Sequence, residues 1–276
     1  MSSDAPRTVR FTNFAALCTL VDDEARKHQD SLAVTHVSLD TLLDITKRRD
    51  LEGRRFRFRF FDTKSQIVII TIPTPLDEQC HGALYNMFRD QLVRNDQELS
   101  WTSKYASTYK APQDSIFITG KEGDSCGGPR PERGGSRAWP TLVIEAGVSE
   151  LLSQLRLDMR WWFSHSHHEV KIVLIVKFSR QDETLLIERW EEDYVPRQEA
   201  TATRQQTLSL EPVMPIQTIT IRQVSANPAS YNVTRGDLVL PFKLLFLRDP
   251  GPSEADFVIT IQKLDVFAQL VWEYRD

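Results

Sequence analysis

The chain has 276 residues, a formal net charge of −4, 41% hydrophobic residues and 26% charged residues. These values exclude a disordered chain, and the slightly acidic balance gives no general attraction to nucleic acid. The three cysteines form no Cys-x-x-Cys pair, so neither a disulfide framework nor a structural zinc site is predicted. No apolar stretch has the length of a secretory signal or a membrane span. We therefore expect a cytoplasmic or nuclear protein that is not secreted and has no membrane partner.

The N-terminal segment, residues 1–75, is predicted to contain two helices followed by a β-hairpin. Apolar side chains at helical spacing predict one helix within 11–30 and another over 38–49. Asn13 and Ser38 precede these apolar stripes and are residue types that cap helix N-termini.

The hairpin is predicted from a change of period. Arginine and phenylalanine alternate strictly at its start, and a β-branched run follows a turn, which together indicate a hairpin over 55–72. Alternation places Arg55, Arg57 and Arg59 on one face. Such a row could bind nucleic acid by following its phosphate backbone. Alternatively, it is the solvated face of an edge strand, where charge discourages aggregation.

Residues 76–192 are predicted to form the core of the fold. A Gly-, Pro- and charge-rich stretch, 120–138, is predicted to be a surface loop. The predicted elements around it are a helix over 76–95, strands over 104–109 and 114–118, an apolar strand at 142–144, a helix over 149–163, and strands over 170–178 and 184–190.

Residues 193–276 are predicted to be a strand-rich extension packed on this core. The polar stretch 191–207 is interpreted as a linker or long loop, and alternation predicts strands over 216–224, 237–247 and 256–262 before a final helix. Helices and strands are mixed along the whole chain, which favours an α+β fold over a regular βαβ series.

Two neighbouring motifs carry a resemblance to a known superfamily. Pro140–Glu150 reads PTLVIEAGVSE, an apolar strand ending in Glu-x-Gly-x-Ser, and Leu155–Trp162 reads LRLDMRWW. Both are similar to segments that recur in a group of uncharacterised fungal proteins, and the arrangement is similar to that of Uma2-like bacterial endonucleases. Together with the order of elements, they resemble the PD-(D/E)XK, or restriction endonuclease-like, superfamily. The resemblance implies a central mixed β-sheet of the αβββαβ type, to which the N-terminal and C-terminal segments are added.

The resemblance also implies a site built on two carboxylates. Asp114 falls where the superfamily has its Pro-Asp dipeptide, and Glu145 ends the next apolar strand. Carboxylates on adjacent strands hold Mg²⁺ or Mn²⁺ in metal-assisted phosphodiester hydrolysis. As a structural alternative, Asp114 begins a strand or closes a turn. Glu145 is alternatively a salt-bridged residue at a strand end, since burying an unpaired carboxylate is costly.

The superfamily's lysine is missing from its usual place. Gly147 stands at that position and has no side chain. A basic residue on the following helix, Arg156 or Arg160, could replace it, and so could Lys171 or Lys177 on the next strand. An arginine can position a phosphate but stays protonated and cannot act as a base. Arg156 is alternatively a solvated residue of an amphipathic helix.

Aromatic residues and histidines follow the second motif. Trp161 and Trp162 are interpreted as core residues, with a base-stacking platform as the alternative. The segment Ser164–Glu169 holds three histidines, which could ligate zinc. Adjacent histidines cannot all point at one ion, and an exposed polar turn is the alternative.

We expect a PD-(D/E)XK nuclease-like protein with an incomplete catalytic signature. If it is active, Asp114 and Glu145 hold a divalent metal, Arg156 or Lys171 assists, and nucleic acid is the substrate. The alternative is a catalytically inactive nuclease-fold module that binds a protein partner in a regulatory role, which Gly147 at the lysine position favours. A third hypothesis is a small-molecule enzyme, which a ligand pocket remote from the two carboxylates would favour.

Overall fold

The computed structural model describes residues 6–105, 107–112, 116–196, 208–227 and 229–275. Among these residues, no helix is both long and apolar enough to cross a membrane. The α-helices of the described part are α1 (Phe14–Arg26), α2 (Leu39–Leu51), α3 (Pro75–Arg94), α4 (Leu152–His165), α5 (Phe242–Phe246) and α6 (Ile261–Trp272).

The strands of the described part belong to four sheets. In the N-terminal half they are β1 (Arg7–Arg10), β2 (Ser31–Thr35), β3 (Arg57–Asp62), β4 (Ile67–Thr71), β5 (Trp101–Ser103), β6 (Thr108–Pro112), β7 (Ile118–Glu122) and β8 (Ser125–Pro129). The later strands are β9 (Leu142–Gly147), β10 (Ile172–Ser179), β11 (Thr184–Trp190), β12 (Asp193–Pro196), β13 (Leu208–Glu211), β14 (Gln217–Ala226), β15 (Ala229–Thr234), β16 (Leu238–Leu240) and β17 (Phe257–Ile259).

The chain forms two compact units, and each is built from separate stretches of sequence. Unit 1 comprises Met1–Glu78 and Ala106–Gly123, whereas unit 2 comprises Gln79–Tyr105 and Asp124–Asp276. The hairpin β6–β7 therefore belongs to unit 1, and the C-terminal strands belong to the same unit as the strand that carries Glu145. Mixed helices and sheets in both units confirm the predicted α+β class.

Unit 1 is built on a six-stranded sheet in the order β1-β2-β4-β3-β7-β6. The predicted helices and hairpin are confirmed: α1 and α2 are present, and β3 pairs antiparallel with β4. Both predicted caps are also confirmed, because the Asn13 side chain accepts a hydrogen bond from Ala16 N and that of Ser38 accepts one from Thr41 N. These bonds satisfy backbone donors that the first helical turn leaves without a partner.

The strict alternation predicted for β3 is interrupted by an irregularity in its register. Phe58 pairs with Ile70, but Phe60 pairs with Ile69, so the strand gains one residue between these positions. An extra residue of this kind reverses the faces of the residues that follow it. Arg59 is consequently buried at 8% exposure, and Phe61 rather than Phe60 completes the aromatic core.

Unit 2 is built on a seven-stranded mixed sheet in the order β15-β14-β11-β10-β9-β8-β5. Strands β9 and β10 run parallel, and α4 connects them, as a parallel crossover requires. The other neighbouring pairs of described strands in this sheet are antiparallel. Every residue of β9 is buried, and β10 is buried along most of its length, which confirms the apolar central strands predicted for this region.

The prediction of a surface loop over 120–138 is wrong for residues 120–122, which form the buried end of β7, and for β8, whose five residues are all buried. Its glycines are required by close packing rather than by turns. A Cβ on Gly127 would lie 2.5 Å from Trp101 Nε1, and one on Gly128 would lie 2.8 Å from Arg133 Cβ. A central strand can therefore have the composition of a loop where neighbouring side chains approach its backbone.

The C-terminal part of unit 2 follows its predicted elements only in part. The linker or loop predicted over 191–207 is wrong at β12, which pairs antiparallel with β13, and 197–207 lie outside the described residues. Strands β14 and β17 and the final helix α6 are confirmed. The strand predicted over 237–247 is wrong in its second half, because Pro241 precedes the short helix α5. Proline suits the position before a helix, where its missing N–H removes no helical hydrogen bond.

A surface ion pair near α5 gives a prediction about pH. Arg248 donates hydrogen bonds to both carboxylate oxygens of Glu254, at 2.5 and 2.6 Å, and Gly251 N donates another at 2.7 Å. The Arg248 bonds above all, with the Gly251 bond, lower the pKa of Glu254 to about 2. A carboxylate with a lowered folded-state pKa stabilises the protein above its unfolded pKa and loses that effect as the pH falls.

We expect Glu254→Gln to lower the free energy of unfolding at pH 7 and to match the wild type near pH 2. The measurement is denaturant unfolding at several pH values between these limits. Asp249→Asn is the control, since the Asp249 side chain is 79% exposed in its pair with Lys243. A difference between wild type and Glu254→Gln that does not change with pH would contradict this account.

Candidate functional site

The site is formed where β8 begins and β9 ends, and its first carboxylate is Asp124. Strands β8 and β9 pair antiparallel with Ser125 opposite Ile144. Extending this register by one residue places Asp124 opposite Glu145. The Asp124 Oδ2 atom accepts a hydrogen bond of 2.8 Å from Ala146 N. Asp124 therefore faces Glu145 across adjacent strands, in the relation that the sequence analysis expected of Asp114.

Asp114 itself lies outside the described residues. Asp124 was not predicted as a site residue, because the Gly-rich composition of the following strand, β8, is typical of a loop. The signal that could have found it is the acidic residue directly before a run of small residues, Ser125–Gly128, which are sterically suited to a closely packed strand.

Glu145 lies within the sheet and is only 4% exposed. Side chains alternate along β9, so Val143, Glu145 and Gly147 share one face. Trp162 of α4 donates a hydrogen bond from Nε1 to Glu145 Oε1. Helix α4 therefore covers the face of the sheet that carries the carboxylate.

A lysine lies beside the position where the motif has glycine. In the parallel pair β9–β10, Lys177 is the register partner of Gly147, and Ile175 is the partner of Glu145. Lys177 Nζ donates a hydrogen bond to Val148 O, directly after β9. Lys177 thus shares the face of Glu145 and places its ammonium group at the end of β9.

Gly147 is closely surrounded by other side chains. A Cβ at this position would lie 3.2 Å from Glu150 Oε2 and 3.2 Å from Leu155 Cδ1. A lysine at 147 would require both neighbours to move. The space that a motif lysine needs is therefore partly filled by Glu150, while Lys177 supplies an ammonium group from the neighbouring strand.

The other predicted basic residues are not brought to Glu145. Arg156 forms a two-point hydrogen-bonded ion pair with Glu188 of β11, which is 1% exposed. Lys171 Nζ donates to His168 O at 2.6 Å. Lys171 precedes Ile175, the register partner of Glu145, by four residues, or about 13 Å of extended chain.

The predicted arginine row does not form a continuous exposed surface. Arg55 is exposed, whereas Arg57 forms an ion pair with Glu78 at 3.0 Å and Arg59 is buried. Strand β3 pairs with β4, and its last residues, Phe61 and Asp62, also pair with β7. Of this row, Arg55 alone is solvent-exposed.

The aromatic residues and histidines pack against each other. Trp161 and Trp162 are buried, with ring centroids 5.3 Å apart, and His165 stacks on Trp161 at 4.8 Å. Burial lowers the pKa of His165 below its usual value. His168 instead bonds Glu192 through Nδ1 at 2.8 Å, so these two histidines point to different partners.

The chemistry of the donors at Asp124 and Glu145 fits a divalent cation. Directly opposed residues of antiparallel strands have Cβ atoms about 5 Å apart. Mg²⁺ is commonly held by one or two carboxylates and completes its shell with water and substrate phosphate oxygens. Among the described residues, no group of three or more His, Cys, Asp or Glu side chains is arranged to hold an ion.

A cavity remote from this site bears on the small-molecule hypothesis. It has a volume of about 280 Å³ and lies between α3 and the start of α6. Thr260 is its hydroxyl-bearing residue, and that side chain accepts a hydrogen bond from Lys263 N as the α6 cap. The charged residues of the lining are Asp90, Arg94 and Lys263. The residues are Met87, Asp90, Gln91, Arg94, Val258, Ile259, Thr260 and Lys263.

Comparison of the sequence with models of protein families and with curated proteins gives no match. The candidate site is defined by its geometry, two opposed carboxylates with a lysine on the next strand.

Proposed function

We propose that this chain is a PD-(D/E)XK-like, metal-dependent phosphodiesterase that acts on nucleic acid, with Asp124, Glu145 and Lys177 as its site residues. The observation that carries the proposal is the register of three adjacent strands. Asp124 lies opposite Glu145, and Lys177 lies beside Gly147, where the motif would have lysine. The lysine that the sequence motif lacks is thus supplied by β10.

The order of elements in unit 2 supports the same proposal. Along the chain, α3, β5, β8, β9, α4 and β10 give the sequence αβββαβ, once the hairpin β6–β7 of unit 1 is set aside. The four strands are neighbours in the order β5-β8-β9-β10. This is the order of elements that the resemblance to the superfamily implies.

Each site residue has a defined task in this proposal. Asp124 and Glu145 would hold a Mg²⁺ or Mn²⁺ ion, which supplies Lewis-acid polarisation of the phosphate when bound. Lys177 stays within reach of the end of β9, where its positive charge can orient a water molecule and offset negative charge that develops on the phosphate. Arg156 instead fixes α4 to the sheet through Glu188.

The test is cleavage of labelled single- and double-stranded DNA and RNA in Mg²⁺ or Mn²⁺, with and without chelator. We expect cleavage by the wild type only with metal, none by Glu145→Gln, and a rate about 10²-fold lower for Lys177→Met, the scale typical of one lost charge-stabilising group.

Lys171→Met is the matched control, because it removes a lysine from the other end of the same strand. Its rate should stay within about 2-fold of the wild type. A loss caused by Lys171→Met but not by Lys177→Met would reject Lys177 as the functional lysine.

A second candidate function is a nuclease-fold binding module without catalysis, in a regulatory role. It is favoured by the burial of Glu145 and by the space that Glu150 takes beside Gly147. Intact folding with no cleavage and no Mn²⁺ binding by the wild type would support this function. The search for a ligand would then turn to a protein partner.

A further inference from the structure

The indole of Trp162 contacts the proposed metal-binding carboxylate directly. Its Nε1–H donates to Glu145 Oε1, and the Trp162 side chain is fully buried. The ring is held from two sides, by Trp161 at 5.3 Å and by Trp139 at 6.1 Å between centroids, both nearly perpendicular to it. A ring confined in this way presents its N–H in one fixed direction.

Helix α4 is also fixed to the sheet at a second point. Arg156 holds Glu188 through both carboxylate oxygens, and Trp190 Nε1 donates to the same carboxylate at 2.9 Å. Glu188 is the β11 partner of Ile175, which is in turn the β10 partner of Glu145. Helix α4 therefore bonds two buried carboxylates of the sheet, Glu145 and Glu188. These residues lie in register on either side of Ile175.

We infer that Trp162 is the positioning residue of Glu145, and that its N–H sets the rotation of the carboxylate for binding of a divalent cation. This inference rests on the proposed function. Groups that hydrogen-bond a metal ligand fix its orientation, and their loss typically weakens metal binding 10- to 100-fold. Trp162 does not touch the ion or substrate in this account, since it acts through Glu145.

The test compares Trp162→Phe with Trp161→Phe. Both changes replace one indole by phenyl in the same aromatic cluster, and Trp162→Phe removes the Nε1–H that donates to Glu145 Oε1. Calorimetric titration with Mn²⁺ should show binding about 10-fold weaker for Trp162→Phe and within about 2-fold of wild type for Trp161→Phe. Thermal unfolding of both variants controls for the loss of packing.

A second readout tests the contact without metal. The Trp162 indole N–H signal in a ¹H–¹⁵N spectrum, identified by its loss in Trp162→Phe, should shift in Glu145→Gln. No shift, or equal Mn²⁺ affinities in the two tryptophan variants, would overturn the inference. If the wild type binds no Mn²⁺, the proposed function fails, and positioning for a cation fails with it. Equal Mn²⁺ affinities of the two variants would thus reject the role of Trp162 alone, whereas no Mn²⁺ binding by the wild type would reject the proposed metal site.

Discussion

Replacing Asp124 with asparagine is expected to lower the rate of metal-dependent cleavage about 10³-fold while leaving the fold intact. Asp124 accepts a hydrogen bond from Ala146 N, and the asparagine side-chain oxygen can accept the same bond. The change therefore removes the charge of the proposed metal ligand and keeps the hydrogen bond to Ala146 N. Loss of several kcal/mol of charge stabilisation corresponds to a rate lower by about 10³-fold. The measurements are the cleavage rate and the Mn²⁺ affinity by calorimetry.

Asp114→Asn is the matched control for this prediction. It makes the same chemical change at the position that the sequence motif suggested. We expect its cleavage rate and its Mn²⁺ affinity to stay within about 2-fold of the wild type. The reverse result, with Asp114→Asn inactive and Asp124→Asn active, would identify Asp114 as the metal-binding aspartate. It would also exclude Asp124 from the site.

Glu122→Gln is expected to destabilise unit 1 by about 3–5 kcal/mol. The Glu122 side chain is almost fully buried and accepts hydrogen bonds from Arg49 at 2.9 Å, from Phe58 N at 2.8 Å and from Thr108 Oγ1 at 2.5 Å. It thereby joins α2, β3 and β6 to β7. The amide removes the negative charge, so the largely buried Arg49 guanidinium loses its ion pair with Glu122 and keeps that with the exposed Asp50.

The two units can be followed separately in this experiment. All six tryptophans of the chain lie in unit 2, so their fluorescence reports that unit, whereas circular dichroism reports both. In guanidinium, Glu122→Gln should move the dichroism transition to lower denaturant. Asp23→Asn, which breaks an exposed pair with Arg26 in unit 1, should change stability by less than about 1 kcal/mol. If Glu122→Gln and Asp23→Asn unfold at the same denaturant concentration, the hydrogen bonds and ion pair of Glu122 contribute little to the stability of unit 1.

The sequence predicted most elements whose pattern is local. Caps at Asn13 and Ser38 and the alternation before 60 depend on neighbours in the chain, and these predictions are confirmed. The irregular register at Arg59 was not predictable in this way, because it depends on how β3 pairs with β4. The alternation of arginine and phenylalanine continues in the sequence, but between Phe58 and Phe60 the side chains change the face of the sheet to which they point.

The candidate site was only half predictable for the same reason. Glu145 ends an apolar run that identifies its strand from the sequence alone. Asp124 becomes visible only once β8 is recognised, and the glycines of β8 are explained by Trp101 and Arg133, which are distant or loop residues. From the sequence, Lys177 was one of several candidates for the basic residue of the site. Its register pairing with Gly147 distinguishes it from the others. Both assignments depend on strand pairing rather than on spacing along the chain.

The division of unit 1 into two stretches constrains how this protein can be synthesised and dissected. Strands β6 and β7 emerge from the ribosome after β5 and most of α3, which belong to unit 2. Unit 1 therefore cannot complete its sheet co-translationally before part of unit 2 is already outside the ribosome. A truncation after Glu78 would leave the four strands β1-β2-β4-β3, with β3 as a newly opened edge prone to association. An isolated unit 1 would have to be produced by joining 78 directly to 106.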